Sequence, residues 1–412
     1  MRGIVKVAVA SALIISCLET APSAVAVPAC TTSQSNYVLS STTYTAITIS
    51  QSGSCIWTVS AGVTQADVLI VGGGGGGAGG NSGSTGSAGG GGGGGAMVAT
   101  SYPLTPAASL SITVGAGGAG GPSTSGGDST LGSQGGTTTF DQITAGGGGG
   151  GGYSSVNGFL TQAGLPGTAG GGGGGASNHW YAYNDGSSTV ASGGTGTTKI
   201  VGARTYTGIN GGNGGVYVAG VSPSNTSAVG GGAAGSATSA NPPVPGAAFS
   251  TNISGTTTNY GGGGLADGAT SWVNGTRPTG VGFGGWGGLG SVAGTSGNSG
   301  IVIIRYLYVP ITVNSFNLSG SASTATYRAA TTIQVNVSST AVVTFYAANK
   351  KIPGCTKITA TGTSPNIIAQ CTWKPATHGG LTLTAQISPP GGGITTSTGQ
   401  LRIGVLSRTG NR

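Results

Sequence analysis

The chain has 412 residues, of which 90 are glycine and only 5% are charged, with a formal net charge of +8. A chain so rich in Gly, Ser and Thr stays disordered unless it can bury enough apolar side chains to offset the entropy of ordering. Hydrophobic residues make up 36% of it and fall in short β-type runs, which argues against disorder throughout. Lys and Arg are thinly spread, mostly after Arg305, so no nucleic-acid-binding patch is expected.

The N-terminus predicts an export signal. A basic start and a mostly apolar run over residues 5–18 lead to a small-x-small cleavage site that ends at Ala26. We therefore expect residues 1–26 to be a signal peptide. The mature protein is then extracellular or at the cell surface, without a transmembrane helix. An alternative stays open, because residues 14–17 resemble a bacterial lipobox, in which Cys17 would carry a lipid anchor.

Four cysteines remain after residue 26, namely Cys30, Cys55, Cys355 and Cys371. An even number in an exported protein predicts disulfides. Three pairings are formally possible. Because the two pairs lie far apart in the chain, we expect local pairing, Cys30 with Cys55 and Cys355 with Cys371.

Short β-type runs stand on both sides of a long glycine-rich region. They cover residues 44–49, 55–59, 66–71, 109–114, 137–140 and 301–306. The last run has four branched residues, Ile301 to Ile304, and comes after the glycines. We therefore expect a sheet that begins before residue 71 to be completed near residue 306.

The glycines between these runs come in blocks of similar length, such as residues 72–77, 89–95, 146–152 and 170–175. One interpretation is a flexible tether. The other is a bundle of extended helices with three residues per turn, whose outward N–H and C=O groups bond to neighbouring helices. Only glycine allows backbones to approach so closely. Similar block lengths and flanking strands favour the bundle.

The ordered series of motifs resembles a known family. A Cys55–Val59 strand, the run Val68-Leu69-Ile70-Val71 before six glycines, and the closing run from Ile301 to Tyr306 look like the glycine-rich domain of bacterial secreted and surface proteins. The series is similar in style to glycine-rich regions of phage tail-tip adhesins and of the anaplastic lymphoma kinase receptor ectodomain. The resemblance implies a β-sandwich interrupted by polyglycine II helices, a binding or structural role, and no catalytic residues.

From Tyr308 onward the composition changes and evenly spaced strand patterns follow, at residues 311–313, 332–337, 341–346, 381–385 and 401–405. The segments around Cys355 and Cys371-Thr372-Trp373 resemble bacterial Ig-like repeat domains of actinobacterial surface proteins. The expected organisation is a signal peptide (1–26), a glycine-rich domain (27–307), an Ig-like sandwich (308–406) and a tail (407–412). The fold class is mainly β: an interrupted β-sandwich with a polyglycine II bundle, then an Ig-like sandwich.

Catalysis needs converging titratable groups, and few are available. After residue 26 the chain has five aspartates, no glutamate and two histidines, none of them in a recognisable catalytic or metal-binding motif. We expect no enzyme activity, no cofactor and no metal site. The richest candidate for ligand binding is the loop with His179, Trp180, Tyr181, Tyr183 and Asp185, because aromatic and hydrogen-bonding groups are favoured at binding hot spots.

Further aromatic candidates are Tyr260, Trp272, Phe283 and Trp286, which could instead cover the edge of the glycine bundle. The leading functional hypothesis is a secreted or cell-surface adhesion module that displays variable loops to a cell-surface protein or glycan. One alternative is a purely structural, self-associating envelope or matrix protein. Another is an ice-binding protein, which a regular threonine face would support, but Thr does not recur regularly in this chain. The sequence leaves the ligand and the oligomeric state open.

Overall fold

The structure is a computed structural model that describes residues 26–60, 62–81, 88–125, 130–152, 164–175, 191–214, 229–238, 244–265, 279–288, 290–308, 310–321, 323–363, 366–389 and 395–407. Nearly all of its regular elements are β-strands, as the sequence predicts. Up to residue 307 the strands are β1 (Ser33–Leu39), β2 (Thr42–Ile49), β3 (Gly53–Thr58), β4 (Gln65–Val71), β5 (Ala96–Pro103), β6 (Ser109–Val114), β7 (Thr138–Phe140), β8 (Ile143–Ala145), β9 (Thr198–Val201), β10 (Arg204–Thr207), β11 (Phe249–Thr251), β12 (Thr258–Tyr260) and β13 (Ile301–Leu307).

Two antiparallel sheets form the base of this region. The first has the order β1-β2-β13-β4-β5 and the second the order β3-β6-β7-β8. In the first sheet, Val302 pairs with Ile49 of β2 on one side and with Ile70 of β4 on the other. The strand that follows the glycine region therefore closes the sheet begun before it, and the sequence prediction on this point is confirmed.

The first sheet is buried on both faces. Val68, Ile70, Val302 and Ile304 pack toward the second sheet, around Trp57 and other core residues. Leu69, Val71, Ile301 and Ile303 face the opposite way, toward Ile253 and Tyr260 near the β11–β12 hairpin. This double burial explains why β4 and β13 have continuous apolar runs instead of the alternation of a half-exposed strand.

Both predicted disulfides are present. Cys30 pairs with Cys55, with Cα atoms 4.8 Å apart, and Cys355 pairs with Cys371, with Cα atoms 5.6 Å apart. The first bond joins the segment before β1 to β3, and so links the two sheets. The chain-entropy model gives about 3 kcal/mol of stabilisation for a loop of this size.

A second pair of packed sheets follows residue 310. Its strands are β14 (Val313–Leu318), β15 (Thr324–Thr326), β16 (Thr331–Val337), β17 (Val342–Ala347), β18 (Lys350–Lys351), β19 (Ile358–Thr359), β20 (Thr361–Thr363), β21 (Asn366–Trp373), β22 (Gly379–Ser388), β23 (Thr396–Ser397) and β24 (Leu401–Leu406). One sheet has the order β14-β16-β21-β20, and the other β15-β24-β22-β17-β18, with β19 on β17 and β23 on β22. Their shared core contains Ile333, Val335, Phe345 and Ala369.

The core of this second unit starts at Ile311 and does not share residues with the core of the first. Trp373 is partly buried and packs against this core. The domain limits at residues 307 and 308 stay a prediction, although the separation of the cores agrees with them. Residues 1–25, including Cys17, lie outside the described residues.

Candidate functional site

The glycine blocks form extended rods that project from the sheets, and their hydrogen bonds repeat every three residues. The rod of residues 72–80, which follows β4, shows the pattern most clearly. Gly72 and Gly75 donate their N–H groups to Gly95 and Gly92, with N···O distances of 2.9 and 2.8 Å. Ala78 continues the series by donating to Gly89. A period of three is that of a polyproline II-type helix, in which no internal hydrogen bonds form.

Six rods surround rod 72–80. Its own N–H groups donate in turn to three of them, residues 89–95, 130–136 and 292–298. Its carbonyl groups accept from the other three, residues 115–124, 146–152 and 282–288. The numbering of the partners descends in the first set and ascends in the second, so the first set runs antiparallel to rod 72–80 and the second parallel. Every N–H of rod 72–80 has a backbone partner.

The spacing between rods leaves no room for side chains. A Cβ atom added at Gly75, Gly76 or Gly77 would lie under 3.0 Å from the backbone of a different neighbour in each case, at Gly149, Ala119 and Trp286. Three successive residues therefore face three different rods. This close approach explains why the central blocks are pure glycine, with an occasional alanine.

Rods on the surface of the bundle carry side chains where they face solvent. In rod 115–124, Ala116, Ala119 and Pro122 are exposed, three residues apart, while the glycines between them are at least partly covered. Side chains also supply acceptors at this surface: Asn210 and Asn213 accept from the N–H groups of Gly196 and Gly193, at 2.8 and 3.0 Å. Surface rods thus tolerate other residues at every third position.

The predicted ligand-binding residues lie between two rods, one that ends at Gly175 and one that begins at Ala191. Both rods have these ends on the side of the bundle that is away from the sheets. We call this side the distal end. Gly80 bonds there to residue Val292, and Gly152 bonds to Gly175. His179, Trp180, Tyr181, Tyr183 and Asp185 belong to residues 176–190, which lie outside the described residues. Their flanking residues, Gly175 and Ala191, are both at the distal end.

The described residues that flank four other segments also lie on this side. Residues 82–87, 126–129, 153–163 and 215–228 are each preceded by a rod that leaves the sheets and followed by one that returns. The topology therefore brings the flanking residues of these five segments to the same side of the bundle. Sequence reasoning identified the loops but could not place their ends together, because that needs the partners of each rod.

The aromatic candidates have different positions. Tyr260 is buried with Ile253 on the first sheet, and the buried ring of Phe283 lies over Gly262 and Gly280. Both rings therefore cover the base of the bundle and are not free for a ligand. Trp286 is half-buried, and Trp272 lies outside the described residues.

The sheet end of the region holds a charge cluster. Arg305 on β13 donates from Nη2 and Nε to Oδ2 of Asp67, at 2.6 and 3.2 Å, and Ser101 N donates to the other oxygen at 2.9 Å. The Arg305 guanidinium also lies 5.2 Å from the ring centroid of Tyr44. Burial alone would lower the pKa of Arg305, but the interactions with Asp67 and Tyr37 outweigh burial and raise it.

A cavity of about 360 Å³ opens beside this cluster, lined partly by Tyr44, Asp67, Arg305 and Tyr306. Both oxygens of Asp67 are already engaged, so the carboxylate is held as a structural partner of the closing strand. This pairing connects β4, β5 and β13, which are far apart in sequence. We call the Arg305–Asp67 pair the clasp. Because both oxygens of Asp67 accept hydrogen bonds from the protein, the pair is suited to hold the strands together and not to acid–base catalysis.

A second aspartate has a similar structural role. Tyr102 donates from Oη to Oδ2 of Asp141 at 2.6 Å, and Asp141 sits in the turn between β7 and β8 with φ of 50°. Burial, followed by the hydrogen bond to Asp141, raises the pKa of Tyr102. The phenol therefore stays protonated over the ordinary pH range. The remaining aspartates after residue 26, namely Asp128, Asp185 and Asp267, lie outside the described residues.

The two histidines do not form a common site in the described region. His378 stacks on Tyr327 in the second unit, with ring centroids 3.9 Å apart, and His179 lies outside the described residues. Within those residues, no group of three His, Cys, Asp or Glu side chains is placed to hold a metal ion. Across the same part of the chain, no helix is long and apolar enough to cross a membrane.

Comparison with protein families identifies the region built from rods and sheets. A model of the glycine-rich domain matches residues 49–307, well over half of the chain. The chain belongs to this glycine-rich domain family. The match ends at the last residue of β13, so the glycine-rich domain includes the strand that closes the first sheet. It starts at the end of β2 and leaves the second pair of sheets unmatched. No curated protein matches the chain.

Proposed function

We propose that the chain is a secreted, non-catalytic display protein. In this proposal the rods of the glycine-rich domain are polyglycine II helices that form a rigid scaffold, and the loops at the distal end contact a protein or glycan on a cell surface. The observation that carries it is the hydrogen bonding of rod 72–80 to six neighbours. A flexible tether would not need such a network, whereas a scaffold that must hold several loops in register does.

The energetic logic supports a scaffold. Glycine loses more conformational freedom on folding than any other residue, and the bundle has few side chains with which to bury apolar surface. Each N–H of rod 72–80 instead donates to the backbone of a neighbouring rod. The net contribution of each such hydrogen bond to folding stability is about 1 kcal/mol. Because the bonds run to six rods, the displacement of one rod would break bonds with all of them.

The proposal that the protein is not an enzyme rests on its carboxylates. Asp67 and Asp141 are engaged by Arg305 and Tyr102 and have structural roles. Paired carboxylates for acid–base work would have to come from the remaining three aspartates, which are spread over three separate loops in the sequence.

Export, a bacterial origin and the Ig-like character of the second unit are also part of the proposal. The signal-type N-terminus and two disulfides are compatible with an oxidising location outside the cytoplasm. The two packed sheets after residue 310 have the layered arrangement that an Ig-like domain requires. In the proposal this second unit acts as a spacer or an attachment module.

Loop binding is tested on the full mature chain. We expect Trp180→Ala with Tyr181→Ala to weaken binding to target cells or to an immobilised glycan array by at least roughly tenfold, the loss of one or two hot-spot side chains. Tyr308→Ala is the control, since Tyr308 directly follows β13 and its N–H donates to Thr43 O beside the first sheet, at the end of the bundle opposite the loops. Unchanged binding in the double variant would contradict loop display, provided that its melting temperature matches that of the unmodified protein.

Self-association is a second candidate function, and the surface of the bundle gives it some support. Rod 115–124 presents Ala116, Ala119 and Pro122 as an uncharged ridge with a three-residue repeat, against which a second copy could pack. Sedimentation velocity over a range of concentrations tests this function. The ridge does not favour ice binding, because the exposed side chains at its repeat are not threonines.

A further inference from the structure

The second unit has an extreme charge composition. Residues 308–412 contain eight Lys and Arg residues and no Asp or Glu, whereas residues 27–307 contain five Asp and four Lys or Arg. The eight are Arg328, Lys350, Lys351, Lys357, Lys374, Arg402, Arg408 and Arg412. The net charge of the mature protein therefore resides in the second unit, and no carboxylate side chain of that unit can neutralise it.

Three of these cations belong to the outer face of one sheet. On β24, Ile403 and Val405 point into the core. Arg402 is the residue before Ile403, so its side chain points to the outer face of the sheet. On β17, Phe345 is buried, and its neighbour Tyr346 lies on the outer face. Lys351 of β18 pairs with Tyr346 and shares that face.

Lys357 adds to the same face, because its N–H donates to the hydroxyl of Thr344, one pleat away from Tyr346 on β17. We call Arg402, Tyr346, Lys351 and Lys357 the cationic face. The three cations are exposed, and Tyr346 is half-buried. Its phenol is fixed by a hydrogen bond of 2.6 Å to Gln386 Oε1 on β22.

The spacing of the charges is informative. In the sheet order β24-β22-β17-β18, Arg402 and Lys351 are separated by three strand spacings, which is about 14 Å. Between them, β22 presents Thr382, paired with Arg402, and Thr384, paired with Tyr346. The face thus alternates cations with hydroxyl groups and one aromatic ring across its width.

We propose that the cationic face binds an acidic polysaccharide and so attaches the protein to a carbohydrate surface. Sugar rings would lie over the Tyr346 ring and bond to the threonine hydroxyls, while carboxylates would pair with Lys351, Lys357 and Arg402. Duplex DNA fits less well, because it carries one charge per about 1.7 Å of axis and would meet only three cations over 14 Å. An acidic polysaccharide has the sparser charge that this face matches.

This attachment differs from loop display in both location and chemistry. The binding loops of the proposed function lie in the glycine-rich domain, whereas the cationic face lies in the second unit. Attachment through this face does not use the loops of the glycine-rich domain. The inference therefore holds or fails independently of the proposed function.

The test measures binding of the full mature chain to polygalacturonate by titration calorimetry at a fixed, near-physiological salt concentration. We expect Lys351→Ala with Arg402→Ala to weaken binding by roughly tenfold, because the loss of each ionic contact should lower the affinity by about threefold. The matched control is Arg328→Ala with Lys374→Ala, which removes the same charge elsewhere. Arg328 lies beside the segment that follows β21, where its N–H donates to Pro375 O. We expect less than a roughly twofold change in the control.

Tyr346 separates sugar recognition from simple charge attraction. We expect Tyr346→Phe to retain most of the affinity and Tyr346→Ala to lose it, because stacking requires the ring. Equal losses in the two double variants would overturn the inference. So would equal affinity for polygalacturonate, polyphosphate and duplex DNA, or no measurable binding to polygalacturonate. The substituted Lys and Arg side chains are exposed, so circular dichroism should show unchanged folding.

Discussion

The glycine bundle and the second pair of sheets are both densely packed, but one packs backbone against backbone and the other packs apolar side chains. In the second unit, side chains such as Val335 and Phe345 are fully buried and the core is apolar. In the bundle, residues such as Gly75 and Gly76 have no side chains, and neighbouring backbones touch and bond to one another. A side chain therefore stabilises one structure and would disrupt the other. The difference shows that dense packing needs complementary surfaces, whether or not these are apolar.

The largest loss of stability is expected from truncating a side chain in the apolar core of the second unit. Phe345→Ala removes a fully buried ring that contacts Phe316, with ring centroids 6.4 Å apart, and should cost about 3–5 kcal/mol. Local hydrogen exchange should report the loss in β16, β17 and β22, while the amides of rod 72–80 stay protected. If protection of the rod fell equally, the two regions would not be energetically separate.

The reverse substitution tests the bundle. Gly76→Ala places a Cβ under 3.0 Å from the backbone of Ala119, which cannot move without breaking bonds to its own neighbours. We expect a cost of about 2–3 kcal/mol, the upper part of the range for overpacking, because the contact is with backbone. Gly380→Ala is the matched control, because a Cβ there has nothing within 4 Å. Equal melting temperatures for the two variants would contradict the close-packed bundle.

The clasp between Arg305 and Asp67 should have a smaller effect. Asp67→Asn retains the shape but removes the charge that holds Arg305, so a partly exposed cation loses its partner. We expect a loss of about 1–2 kcal/mol in the unfolding of the glycine-rich domain, less than for a fully buried pair. Denaturant titration measures it. An effect below about 0.5 kcal/mol would show that β13 is held by its apolar residues alone.

The smallest effect should appear only at alkaline pH. The raised pKa of Tyr102 means that the folded protein keeps a proton which the unfolded chain releases above its normal pKa of about 10. Stability from this group is therefore complete below pH 10 and falls as the pH rises beyond it. Tyr102→Phe should reduce that fall. Parallel pH curves for the two proteins between pH 9 and 11 would contradict this assignment.

Several elements could be predicted from the sequence because their signals are local. The strands around residues 66–71, 109–114 and 301–306 have β-branched runs, and β4, β6 and β13 lie within a residue of these limits. Strands β1 and β5 were missed: β1 is mainly polar, and β5 comes directly after a glycine block without a clear alternating pattern. The prediction at residues 311–313 was misplaced, since β14 runs from Val313 to Leu318. Strand β21 was not predicted either, since its last residues, Cys371 to Trp373, were used only for the resemblance to Ig-like repeats.

The sequence by itself determined the pairing of the cysteines, the mainly β character and the need for close backbone contacts, because a block of glycines has no other means of packing. It also determined that the net positive charge lies in the second unit. Only the tertiary structure decided which rods are neighbours, since glycine residues are chemically identical and carry no information about their partners. Their register is set by the strands that anchor them, among which β13 is placed by Ile301 to Ile304 and by Arg305 on Asp67. Those contacts join residues more than 200 positions apart, and local sequence signals cannot specify them.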